Sequence, residues 1–279
     1  MVESRLLFKK ALKYLQEKNI ESPRSSCELI FSATLNVDRL SLYILPSLLI
    51  EAEVADLLWK RIERRATGEP LDYILGFSPF YGGKILVSPA VLIPRPETEY
   101  VVEAALNLLP RISGSILDVG TGSGAIVVTL AKLFPDRSFY GSDISEEALE
   151  VARKNGKNLP NLCFYKDDLL NNPPLDFFEL IVANLPYIPS EILPRLSPEI
   201  QFEPAIALDG GKEGLELIKK FIRQAKKRCR YCILEIGDGQ FSKVSQFLQE
   251  QGFSIIEVKK DLSQMERVIV GRNCGEIHY

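Results

Sequence analysis

Histidine is almost absent from this chain: one residue, His278, in 279. That argues against a metal site built on several histidines and against a Ser-His-Asp triad. Cysteine is sparse as well. Five cysteines make no disulfide scaffold in a chain of this length. Cys229 and Cys232 form a single C-x-x-C, but zinc wants four ligands and no second pair or histidine cluster exists. They read as small residues beside a buried strand. Long apolar runs are missing. Leu48-Leu49-Ile50 and Ile181-Val182-Ala183 fall far short of the roughly 20 residues of a transmembrane helix. The opening MVESRLLFKK has no apolar signal-peptide core. The expectation is a cytoplasmic, reduced protein with no membrane partner and no metal. Neither sign of charge dominates: 34 basic against 37 acidic residues leaves −3. The whole chain is therefore not a generic polyanion binder. No internal repeat and no low-complexity tract is present.

What remains is an ordinary globular composition, 46% hydrophobic and 25% charged. The length suggests two domains, at roughly 150 residues each. Residues 1–72 read as helices only. Leu7, Ala11 and Leu15 recur at i, i+4, i+8 with Phe8 and Leu12 beside them, which makes one apolar helix face. A second helix starts either at Ser22-Pro23, with Pro at the first helical position, or at a Ser25/Glu28 capping box. A short helix follows near Arg39–Ile44, and another spans about Glu51–Ala66 and stops at Gly68. This region holds 11 bases and 11 acids. The local cluster Lys60, Arg61, Arg64 and Arg65 reads as a solvated helix end, or else as a contact for an acidic or RNA partner. Residues 73–95 form a stiff connector. Gly82-Gly83 between two short runs suggests a β-hairpin, and Pro89, Pro94 and Pro96 follow.

Residues 96–279 alternate strand and helix, with strands at about 115–119, 138–142, 162–165, 179–183, 231–236, 254–258 and 267–271. This predicts an α/β, Rossmann-like domain of seven strands, mostly parallel. The last two strands have no helix between them, so they should pair antiparallel. The first strand runs into Gly120-Thr121-Gly122-Ser123-Gly124 and a helix. Such a loop lets backbone approach a ligand closely. Gly120-x-Gly122-x-x-Ala125 also fits a nicotinamide fingerprint, so the loop alone does not separate two cofactor classes. Asp143, at the second strand's end, suits the ribose of either.

Three features favour S-adenosylmethionine. Asp118, two residues before Gly120, suits a methionine ammonium and would repel a pyrophosphate. Asp168, after the third strand, could accept from an adenine amine. Asn184-Leu185-Pro186-Tyr187 ends the fourth strand. The Asn184 oxygen and the Leu185 carbonyl can each accept one N–H of a planar –NH₂ group, aiming its lone pair at a methyl donor. Tyr187 can stack on that group, and Pro186 stiffens the turn. Chemistry alone thus reaches an N-methyltransferase acting on a planar –NH₂.

The chain resembles, over nearly its whole length, the bacterial glutamine N5-methyltransferases that modify peptide chain release factors. The stretches that carry the resemblance are Ser22-Pro23-Arg24, Glu69 to Gly76, Leu92 to Glu99, Asp118 to Ile126, Phe202-Glu203-Pro204, Ala207 to Gly211 and Leu234-Glu235-Ile236-Gly237. The resemblance implies a helical substrate-recognition domain joined by a β-hairpin to the catalytic domain. It implies S-adenosylmethionine as cofactor and the glutamine of a release factor's Gly-Gly-Gln loop as substrate. Carried over by position, Asp118, Gly120, Thr121, Gly122, Ser123, Gly124, Asp143, Asp168, Leu169 and Asn184 contact the cofactor. Asn184, Leu185, Pro186 and Tyr187 clamp the glutamine, with Asn184 and Tyr187 as the catalytic pair. The chain departs from the family's Asn-Pro-Pro-Tyr at Leu185, which keeps the backbone carbonyl and loses a rigid ring. Arg95 and Glu97 shape the cofactor mouth or brace the connector as an ion pair. Arg228-Cys229-Arg230, where the family has a Gly-rich turn, reads as a surface change. Two alternatives stay open: a methyltransferase of an exocyclic amine in DNA or RNA, and a cofactor-sensing module without turnover. The balanced charge of residues 1–72 speaks against a large phosphate footprint.

Overall fold

A computed structural model describes residues 1–44 and 48–275; His278 lies outside the described residues. The chain forms two compact units. One is Met1–Phe77 together with Ser197–Phe202; the other is Ser78–Leu196 together with the described residues from Glu203.

The first unit packs β1 (Val2–Glu3), α1 (Ser4–Glu17), α2 (Pro23–Leu35), α3 (Ser41–Ile44), β2 (Leu49–Ile50), α4 (Ala52–Ala66) and α5 (Leu71–Leu75). Its core takes Ala11 and Leu15 from α1, Ile30 and Phe31 from α2, and Leu58 and Ile62 from α4. This is the apolar face read from the α1 spacing. The unit is not purely helical, because β1 and β2 pair antiparallel, Val2 opposite Ile50. Pro23 does open α2, since its missing N–H costs nothing there. Ser22, at φ 48°, makes no side-chain cap. Gly68 takes φ 90° just past α4. Of the local cationic cluster, Arg65 is buried. It donates to Ser26 Oγ at 3.2 Å and to Glu199 Oε1 at 2.5 Å, and Arg64 is held by Glu69.

β3 (Phe77–Phe80), which from Ser78 on belongs to the second unit, and β4 (Gly83–Leu86) make the hairpin. Its turn is Tyr81-Gly82, one residue earlier than the Gly-Gly pair suggests. Both turn residues have positive φ, 47° and 72°, as a twist-matched two-residue turn requires. The Tyr81 N–H is held by Glu99 Oε1 at 2.8 Å. Then come α6 (Glu99–Leu108), β5 (Ile116–Val119), α7 (Ala125–Leu133), β6 (Phe139–Asp143), α8 (Glu146–Asn155), β7 (Leu162–Lys166), β8 (Phe178–Ala183), α9 (Glu216–Ala225), β9 (Cys229–Glu235), α10 (Phe241–Glu250), β10 (Phe253–Lys260) and β11 (Glu266–Asn273). The seven strands order as β10-β11-β9-β8-β5-β6-β7. β5 through β9 pair parallel, and β11 pairs antiparallel with both β9 and β10. Strands covered by helices on both faces are shut off from water, so β5 and the C-terminal part of β8 are continuously buried and, Asp118 apart, apolar.

Cys229 and Cys232 lie buried in β9, and burial pushes the Cys232 thiol up to about 12. The 228–230 segment is thus only partly a surface change. Arg228 reaches Asp176 at 3.1 Å and Arg230 reaches Glu179 at 3.4 Å, but Cys229 is interior. No helix among the described residues is long and apolar enough to cross a membrane.

The register sets the site. Val119 lies opposite Ser142 on one side and Ala183 on the other. Gly120, Asp143 and Asn184 are therefore each the next residue along and share one level at the carboxyl ends. β5 is also where strand order changes direction, the place where open α/β sheets bind ligands.

Candidate active site

A cleft opens at that rim. Gly120, Thr121, Gly122, Ser123, Asp143, Asp168, Leu169, Asn184, Leu185 and Pro186 all line it. So do Leu92, Pro94 and Thr98 from the connector, and Pro204, Ile206 and Ala207. Asp118, Gly124 and Tyr187 stand behind this surface rather than on it. Gly124 caps α7 at φ 81°. Asp118 is 1% exposed.

The glycine loop follows from β5 turning directly into α7. At Gly122, with φ 55°, an added Cβ would meet no protein atom within 4 Å, so the space beside its backbone is open to a ligand. Asp143 ties the loop down. Its Oδ2 accepts from Gly122 N–H and its Oδ1 from Ser145 N–H, both at 2.9 Å. Burial pushes its carboxyl up, and those backbone donors oppose the shift. Asp168 carries an ion pair with Lys220 at 2.7 Å. Leu169 is buried with φ 59°, a strained conformation for a leucine, held at the cleft wall.

Asp118 Oδ2 accepts from the Thr121 hydroxyl at 2.6 Å, whereas Oδ1 has no partner among the described residues. Burial pushes this carboxyl up to about 7, against the Thr121 hydrogen bond. The cleft walls carry Asp143, Asp167 and Asp168, with no Lys or Arg among the described lining residues. This set fits S-adenosylmethionine, which is cationic at sulfur and amine, and repels a dinucleotide's pyrophosphate. The ambiguity of the glycine loop is thereby resolved on electrostatic grounds.

A pH dependence follows. Folded Asp118 holds its proton up to about pH 7, well above the usual carboxylate range, and a cationic ligand requires that proton to leave. Affinity for S-adenosylmethionine should fall as pH drops through about 7. Asp118→Asn should bind more weakly and lose most of that dependence, as calorimetry at about pH 6 and about pH 8 would read. The same shift acts on folding with the opposite sense. Between about pH 4 and about pH 7 the native state binds a proton that the unfolded chain does not, so this group lowers stability as pH rises.

The segment after β8 is clamped from several sides. Asn184 Nδ2 donates to Thr98 Oγ1 at 3.0 Å. The Tyr187 hydroxyl donates to Glu235 Oε1 at 3.3 Å, and the Tyr187 carbonyl accepts from Gln240 Nε2 at 3.0 Å. Ile188 N–H donates to Leu208 O, and Gly210 N–H donates back to Ile188 O. Leu185 is 3% exposed and its Cδ2 would lie 3.1 Å from a Cβ on Gly120. Burial of its side chain thus supplies restraint where the family's proline has a ring. Gly214 has φ 71°, and a Cβ there would sit 2.2 Å from the Tyr187 carbonyl oxygen. Gly214→Ala should therefore destabilise the fold by about 2–3 kcal/mol and shift this turn. Denaturant unfolding checks it; an unchanged midpoint would contradict it.

Arg95 does not line the cleft. It pairs with buried Glu203, whose Oε2 also accepts from Ile93 N–H at 3.1 Å. Arg95 thus braces the connector, but through Glu203; no Arg95–Glu97 ion pair forms among the described residues. Two residues were not singled out from sequence: Thr98 and Glu235. Both lie in stretches that carry the family resemblance. Glu235 is a lone carboxylate ending the apolar strand β9, which is the available signal. Burial pushes it up to about 7; hydrogen bonds from Thr98 and Tyr187 pull it down, and nearby Glu97 adds to the rise.

A mostly parallel, mixed sheet with this strand order, an acidic cleft at its switch point and a glycine loop tied to a strand-end aspartate define an S-adenosylmethionine-dependent methyltransferase. A family model described as a methyltransferase domain matches residues 116–201, and one described as the PrmC N-terminal domain matches residues 7–76. A methyltransferase from Pyrococcus furiosus shares the fold, with a TM-score of 0.51 and 20% identity, covering 69% of this chain and 89% of that one. Two relatives are each named release factor glutamine methyltransferase. The one from Koribacter versatilis is 39% identical over 95% of this chain and 96% of its own. The one from Thermodesulfovibrio yellowstonii is 38% identical over 86% and 89%. The chain belongs to the release factor glutamine methyltransferase family.

Proposed function

We propose that this enzyme methylates the side-chain amide nitrogen (N5) of the glutamine in the Gly-Gly-Gln motif of peptide chain release factors. The observation that carries the reading is the Asn184 amide. Its nitrogen is occupied by Thr98 at 3.0 Å, so its oxygen is the group left to meet a substrate –NH₂ in the cleft. Whole-chain kinship to release factor glutamine methyltransferases supplies the identity of that –NH₂.

S-adenosylmethionine, when bound, supplies a methyl group already activated by the sulfonium. The chain's own task is therefore aim and solvent exclusion. An amide nitrogen is a poor nucleophile because its lone pair is delocalised. Asn184 Oδ1 and the Leu185 carbonyl each accept one N–H, which holds the nitrogen and turns its lone pair out of conjugation. Asp143 takes the ribose hydroxyls with the lone pairs left beside Gly122 and Ser145. Asp118, behind the glycine loop with Oδ1 unpartnered, supplies the negative charge that favours the ammonium in the cleft. Tyr187 pins the turn through Glu235 and Gln240, and stacking of its ring on the glutamine is the role the family resemblance assigns. Residues 1–72 serve as the substrate-recognition domain, 73–95 as connector and 96–279 as the catalytic domain. A release factor as substrate sets the cytoplasm as the place of action.

Transfer of labelled methyl to purified release factor, with DNA and RNA as parallel acceptors, tests the reading. Label on the release factor supports it. Label on nucleic acid alone would favour an exocyclic-amine methyltransferase instead.

A further inference from the structure

The turn that carries Asn184, Leu185 and Tyr187 enters from β8, where Ala183 pairs with Val119 and Leu234. The sheet thus fixes its start. Its exit is bridged at Ile188 to Asp209 and tied one residue earlier by Gln240. Gln240 stands at the N-terminal end of α10, 53 residues from Tyr187, and is buried at 8% exposure. Its side-chain amide meets backbone on three separate segments. Nε2 donates to the Tyr187 carbonyl at 3.0 Å and to the Gly214 carbonyl at 3.1 Å. Oε1 accepts from the Gly237 N–H at 2.9 Å.

The partners set the orientation of this amide. Its nitrogen has two protons to give, and each goes to a carbonyl that can only accept. Its oxygen faces an N–H that can only donate. Turned over, the amide would set oxygen against two carbonyls and –NH₂ against an N–H. The anchors are themselves held. Gly237 follows Ile236, whose N–H donates to the Arg267 carbonyl at 2.9 Å, so this anchor continues the sheet. The approach is close as well: a Cβ on Gly237 would lie 2.9 Å from Tyr187 Cδ2, so the tyrosine rests directly on that backbone.

We infer that Gln240 is a positioning residue for methyl transfer: by tying the Tyr187 carbonyl to the backbone at Gly214 and Gly237, it fixes the exit of the turn and so the aim of the Asn184 oxygen and the Leu185 carbonyl. The inference rests on the function proposed above. Gln240 does not line the cleft. Asp143 is held by Gly122 and Ser145, and Asp168 by Lys220, so the groups assigned to the cofactor are anchored without it. Its loss should act on turnover and not on binding.

The test replaces Gln240 with methionine, which keeps length and bulk and removes all three bonds. Gln240→Met should lower kcat for release-factor methylation by at least about tenfold, with KM and cofactor affinity within about threefold of the parent. Parental kcat, or a loss of cofactor affinity as large as the loss of kcat, overturns the inference. If Gln240→Met fails to fold, Gln240→Glu decides by the same criteria at about pH 8, because it keeps an acceptor for Gly237 and takes both donors from the carbonyls. Magnetic resonance of the cofactor-bound enzyme gives a reading without substrate. The Asn184 side-chain amide resonance should shift in whichever variant folds, although Gln240 does not touch it, while the Gly122 amide holds its place. An unmoved Asn184 resonance overturns the inference. So does an equal shift at Gly122, which would mark a general loosening of the fold. Absence of turnover by the parent enzyme would overturn the proposed function and leave the two resonances to decide this point.

Discussion

Asn184→Ala should lower kcat for release-factor methylation by about 10²- to 10³-fold while costing the fold only about 1 kcal/mol. The two magnitudes differ because the side chain has two ends with different work. Its nitrogen makes one hydrogen bond, to Thr98, and losing that bond is a modest structural change. Its oxygen is the acceptor that aims the substrate nitrogen. A misplacement of the nucleophile by about 1 Å suffices to cost about 10²-fold in rate. The measurements are steady-state transfer to release factor and a denaturant melt of the same preparations. Equal kcat in mutant and parent would refute the clamp. A collapse of the melt would assign Asn184 to the fold instead.

Asp143→Ala should weaken S-adenosylmethionine binding by about 10²-fold or more. Two effects add. The carboxylate's remaining lone pairs, which would take the ribose hydroxyls, disappear. The Gly122 and Ser145 N–H groups also lose their acceptors, so the glycine loop is released from the strand end that positions it. Each charge-assisted bond of this kind contributes about 1.5–3 kcal/mol, and only part of that bears on the ligand. Asp143→Asn keeps one acceptor oxygen and should fall between parent and alanine. Titration calorimetry reads all three, and affinity unchanged in Asp143→Ala would count against the ribose assignment.

The rim was legible because it is a matter of strand ends. A parallel sheet puts the residue after each apolar run at the same edge, and Asp143 and Asn184 were found there by counting. The choice of cofactor was half legible. Asp118 pointed to an ammonium and Asp168 to an adenine amine, but only the cleft walls, with three aspartates and no described base, separate the two classes. Asp168 shows the limit of such reading. Its partner Lys220 sits 52 residues away, so the ion pair leaves no local trace. The same holds for Thr98 and Asn184, 86 residues apart, and for Tyr187 and Glu235, 48 apart. Such links depend on tertiary approach, and no period or motif encodes them. The helix α5 and the pair β1–β2 escaped for another reason. Elements of five and two residues carry too little periodicity to stand out from loop. The hairpin turn slipped by one residue because Tyr81, held by Glu99, takes a backbone conformation usually left to glycine or asparagine.

The central claim is that this cleft transfers a methyl group to one glutamine of a release factor. Mass spectrometry of a release factor incubated with the enzyme and S-adenosylmethionine tests it most directly. The account predicts one added methyl group, located by fragmentation on the side chain of the Gly-Gly-Gln glutamine and absent when Asn184→Ala replaces the enzyme. An unmodified glutamine after incubation with the intact, cofactor-binding enzyme would contradict it, as would methyl found on another residue alone.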